Sequence, residues 1–110
     1  METPERILLI CDDQSFSIYF KQQLFALGEY AVVVEPTAQA AVLSLGKGIC
    51  DLVFVKYAVE ETDMDALTFE LKKVDPDCVV IVLLDAAIDG LVNELAELGV
   101  FESVIWPGTV

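Results

Sequence analysis

Asp51-Leu-Val-Phe-Val-Lys56-Tyr57 is the stretch that decides how this chain folds. Leu52 to Val55 is a run of large or β-branched apolar residues bounded by polar ones. Such a run suits a short strand buried on both faces, as in a parallel sheet. It ends in Lys56, whose ammonium must find acceptors or a route to water where the strand leaves the core.

The same pattern recurs on either side. Arg6 to Cys11 reads as a first strand followed at once by Asp12-Asp13, and Tyr30 to Glu35 as a valine-rich second. Val79 to Leu84 and Ser103 to Trp106 supply a fourth and a fifth. Between them the apolar residues move to helical spacing. Phe16, Phe20, Leu24 and Leu27 mark a first helix, with Ser15 or Ser17 as its cap and Gly28 as a left-handed stop. Thr37 caps a second helix that buries Ala38, Ala41, Val42 and Leu45 and ends at Gly46. Thr62 with Asp65 resembles a capping box ahead of Met64, Leu67, Leu71 and Val74. Leu91, Leu95 and Leu98 mark a fourth helix that stops at Gly99. Strands alternating with helices predict one open parallel sheet with helices on both faces. Ligands of such sheets bind beyond the carboxyl ends of the strands. Those ends carry Asp12, Asp13, Lys56, Leu84, Asp85 and Trp106.

Composition narrows the function. With 110 residues the chain makes one domain, and at 55% hydrophobic content it can build a sizeable core. No apolar run approaches the roughly 18 residues that span a bilayer, so a soluble cytoplasmic α/β protein is expected. The N-terminal Met-Glu-Thr-Pro-Glu-Arg carries no apolar signal segment. A formal charge of −13 argues against nucleic acid and anionic membranes as partners. Cys11, Cys50 and Cys78 stand at strand ends without CxxC spacing, and the chain has no histidine. That argues for buried free thiols and against a zinc site. Gly46-Lys47-Gly48 follows a helix and not a strand, so it reads as a turn and not as a phosphate loop.

Arg-Ile-Leu-Leu-Ile-Cys-Asp-Asp at 6–13, Asp-Leu-Val-Phe-Val at 51–55, Val-Ile-Val-Leu at 80–83, Leu98-Gly99 and Trp106-Pro107 follow one another in a familiar order. Over nearly its whole length the chain resembles a response-regulator receiver domain. The resemblance implies a flavodoxin-like (CheY-like) three-layer α/β/α sandwich with strand order 2-1-3-4-5. It also implies that Asp12 and Asp13 match the family's magnesium-holding acids. Lys56 then stands at the phosphoacceptor position, and Leu84 where a serine or threonine reads the phosphoryl group. Trp106 replaces the family's lysine, and Ser103 its switch aromatic. An ammonium cannot become an acyl phosphate, and without a carboxylate at Lys56 a magnesium ion loses an anionic ligand.

The expectation is therefore a pseudo-receiver: not an enzyme, with no cofactor, any magnesium being confined to Asp12 and Asp13. It acts on a protein partner or output domain in bacterial signalling or localisation, as a homodimer. The family's fifth helix would follow Val110, so residues 1–110 are expected to be the N-terminal part of a longer regulator, or to leave a partner site open.

Each residue also has a plainer reading. Lys56 either snorkels to solvent or sits in the vacated metal position between Asp12, Asp13 and Asp85. Asp12 and Asp13 also suit a helix start, which favours negative charge. Asp85 suits a turn or cap, and Trp106 either covers the sheet edge or anchors a contact. Two other functional classes remain: a regulator phosphorylated at Asp85, and a small nucleotide-binding domain.

Overall fold

The third strand, β3 (Leu52–Lys56), lies at the centre of a five-stranded sheet of order β2-β1-β3-β4-β5. The others are β1 (Glu5–Ile10), β2 (Tyr30–Glu35), β4 (Val80–Leu84) and β5 (Glu102–Ile105), and every pairing is parallel. Helices α1 (Gln14–Leu27), α2 (Ala38–Lys47), α3 (Met64–Val74) and α4 (Leu91–Glu97) connect them. The computed structural model describes residues 5–28, 30–47, 52–57, 63–84 and 90–105.

Period-two alternation divides the strand residues between two cores. Leu8, Ile10, Val53, Val55, Val80, Val82 and Leu84 pack with Ala41 and Leu45 of α2, Leu67 and Leu71 of α3, and Leu91 and Leu95 of α4. On the other face, Ile7, Leu9, Cys11 and Leu83 meet Phe16 and Phe20 of α1. Phe20 also meets Phe54 edge to face, with centroids 5.1 Å apart. That second face is thinner. Leu52, Phe54 and Ile81 are only half-buried there.

Several local expectations shift. Asp13, not Ser15 or Ser17, caps α1: its carboxylate accepts from the Phe16 N–H at 3.0 Å. Ser17 is already one turn inside the helix, and its hydroxyl donates to the Asp13 carbonyl. Gly28 closes α1 by donating its N–H to the Leu24 carbonyl. Its backbone is extended there (φ 159°, ψ −168°), not in a left-handed helical cap. Thr37 caps α2 as expected, accepting from the Ala40 N–H at 3.1 Å. The helix runs through Gly46 to Lys47, and Ala38 in its first turn is exposed.

Asp63 caps α3 through the Ala66 N–H, while Thr62 lies outside the described residues. The buried face of α3 is Met64, Leu67, Thr68 and Leu71. Val74, expected on that face, is the last residue of the helix and is 41% exposed. Gly99 follows α4 at φ 95°, a left-handed conformation that a side chain would strain.

Candidate functional site

Register brings the chemistry together. Ile10 pairs with Val55, so the residues after β1 and the end of β3 share one edge of the sheet. Lys56 pairs with Leu83 and lies on the same face as Phe54, the face that α1 covers. Its ammonium sits over the Phe16 ring, 5.1 Å from the centroid. A cation held against an aromatic face gains about 0.5–2 kcal/mol, more as water is excluded.

Phe16 is placed by the turn before it. The Asp13 carboxylate holds the Phe16 N–H, fixing where α1 starts and so where the ring projects. Cys11 braces the same turn: its sulfur accepts from the Asp13 N–H at 3.3 Å and its thiol donates to the Asp13 carbonyl at 3.5 Å. Cys11 and Cys78 are both buried, and Cys50 lies outside the described residues. Asp13, Phe16 and Lys56 thus form one connected unit. Asp12, beside them, is exposed to solvent.

The remaining edge positions fall as follows. Leu84 ends β4 and is 3% exposed, so a hydrocarbon stands where β4 meets the edge. Ser103 is half-buried in β5, opposite Val82. Asp85 and Trp106 lie outside the described residues. Among the described residues no group of three or more histidine, cysteine, aspartate or glutamate side chains comes together to hold a metal ion. With an ammonium closing β3, the described side chains following β1 and ending β3 offer only the Asp12 and Asp13 carboxylates, and they do not fit a magnesium ion, which needs near-octahedral oxygen coordination.

Sequence reasoning missed Phe16 as part of this edge, assigning it only to the core of the first helix. Its position three residues after Asp13 is the signal that could have found it, since a cap at Asp13 puts Phe16 in the first turn.

No protein-family model matches the chain, and no curated protein matches it significantly. Solved structures do. A response regulator from Thermotoga maritima superposes with a TM-score of 0.83 at 20% identity, over 97% of this chain and 88% of that one. The receiver domain of a sensor histidine kinase from Pseudomonas aeruginosa, with a magnesium ion coordinated in its active-site cleft, gives 0.80 at 20% identity, over 97% and 88%. A response regulator from Burkholderia pseudomallei, with a phosphorylated aspartic acid, calcium ion and citrate, gives 0.81 at 21% identity. That match covers 96% of this chain and 62% of the other, less than two thirds of its length. The likeness establishes the fold: a flavodoxin-like sheet of order 2-1-3-4-5, as in response-regulator receivers.

Proposed function

We propose that the chain is a receiver-like signalling module that works through protein contacts and without phosphorylation, in bacterial signal transduction or localisation. One observation carries this reading. At the end of β3, where the resemblance puts a phosphoacceptor carboxylate, an ammonium is packed over an aromatic ring. The Pseudomonas and Burkholderia proteins bind magnesium and carry a phosphorylated aspartic acid, respectively, on the same fold. Here the Asp13 carboxylate caps a helix start, and Leu84 has no hydroxyl to meet a phosphoryl group. The edge is better suited to one fixed state than to a switch.

The contact surface of this proposal is the α4–β5 side. Val92 on α4, Phe101 between the two elements, and Val104 and Ile105 on β5 are exposed apolar residues, Phe101 by 71%. Apolar residues exposed on neighbouring elements offer surface to a partner, and the partner proposed is a second copy or an output domain. No described helix is long and apolar enough to cross a membrane.

The test is incubation with acetyl phosphate, or with beryllofluoride and magnesium, followed by mass spectrometry and amide NMR. The expected result is no covalent adduct and no shift at residues 10–13 and 56. A phosphoryl adduct on any carboxylate, Asp85 included, would replace this reading with that of a switched regulator.

A further inference from the structure

Between α2, α3 and the carboxyl ends of β1 and β3 lies an open cavity of about 610 Å³. Its inner wall is hydrocarbon: Ile10, Val55 and Leu67 are buried, Val42 is partly so, and Leu43 stands exposed beside them. Asp12, Asp63 and Glu70 are the acidic residues of its lining. All three are exposed, and Asp63 also accepts from the Ala66 N–H as the cap of α3. Lys56 also borders the cavity, but its ammonium lies over Phe16 of α1.

We propose that this cavity binds a small amphipathic organic cation. An aromatic or alkyl body would lie against Val42, Val55 and Leu67, with an ammonium head directed to the Asp12 and Glu70 carboxylates. The volume is that of a site for one small ligand, and an apolar wall with a few placed polar groups is the usual composition of such sites. Charge selects the ligand. A chain at −13 draws cations to its surface and repels nucleotides and other anions. Cys11 and Asp12 belong both to this cavity and to the turn that Asp13 caps, so an occupant touches the same turn that places Phe16 against Lys56. The proposal concerns a different face from α4–β5 and does not depend on the phosphorylation reading.

The experiment is amide NMR of the whole chain titrated with benzylamine and hexylamine, with benzoate and hexanoate as anionic counterparts of matching bodies. Saturable shifts at Val42, Leu43, Ala66 and Leu67 are expected with the amines and none with the acids. Glu70→Gln should weaken amine binding about two- to fivefold, as for an exposed ion pair. Val42→Trp, filling the cavity, should abolish it. Shifts that do not saturate, that spread over the acidic surface, or that appear equally with the carboxylates would overturn the proposal. So would affinity unchanged in Glu70→Gln, a surface substitution that leaves the core intact.

Discussion

The Lys56 ammonium and the Phe16 ring face each other at the carboxyl edge of the sheet, 5.1 Å from nitrogen to centroid. β3 supplies one partner and the first turn of α1 the other, so the contact ties the central strand to the helix that covers the thinner face. A double-mutant cycle with Lys56→Met and Phe16→Leu isolates it. The two losses in urea unfolding should differ from additivity by about 0.5–2 kcal/mol. Strict additivity would show that the ring contributes packing alone.

Asp13 sets the position of that ring. Asp13→Ala removes the acceptor for the Phe16 N–H and should cost about 1 kcal/mol, whereas Asp13→Asn keeps an acceptor and should lose much less. If the negative charge of Asp13 were its main contribution, asparagine and alanine would fall together in thermal melts.

The fold was legible because its evidence is local and repeated. The apolar run at Leu52–Val55, its counterparts in β1, β2 and β4, and glycines such as Gly99 each mark an element without reference to the rest of the chain. Cap identity was less legible. Asp12, Asp13, Ser15 and Ser17 are all competent caps, and the choice depends on where the backbone leaves the extended conformation, here at Asp13 with φ −91° and ψ 108°. The site was legible as an edge but not as a set of contacts. Helical spacing shows that Phe16 faces inward; only the register of β3 against β1 shows that it meets Lys56. The cavity between α2 and α3 was invisible for the same reason, since Val42 and Leu67 come together only when the two helices pack on one sheet.

Thr68 interrupts an otherwise apolar face. Its side chain is buried on α3 between Leu67 and Leu71, and its hydroxyl oxygen has no hydrogen-bond partner among the described residues. A buried polar group left unpaired costs about 1–3 kcal/mol. Thr68→Val exchanges the hydroxyl for a methyl of similar size and should raise stability by about 1 kcal/mol. Thr68→Ala removes the hydroxyl but also opens a void, so it should gain less or lose. A valine variant that melts below the parent would mean that the hydroxyl is satisfied in solution.

The proposed self-association through α4 and β5 sets two forces against each other. Val92, Phe101 and Ile105 offer apolar surface, while two chains each at −13 repel. Salt shortens the reach of that repulsion to about 10 Å at 0.1 M and 3 Å at 1 M, and leaves apolar burial in place. Light scattering after size exclusion should therefore show a dimer that grows with protein concentration and with added salt, and that ignores beryllofluoride and magnesium. Phe101→Glu should hold the chain monomeric across the same range. Its circular dichroism should match the parent, because a side chain 71% exposed contributes little to the fold. A parent chain that stays monomeric at high concentration and high salt would remove the second copy as the occupant of this face, leaving an output domain as the partner to seek.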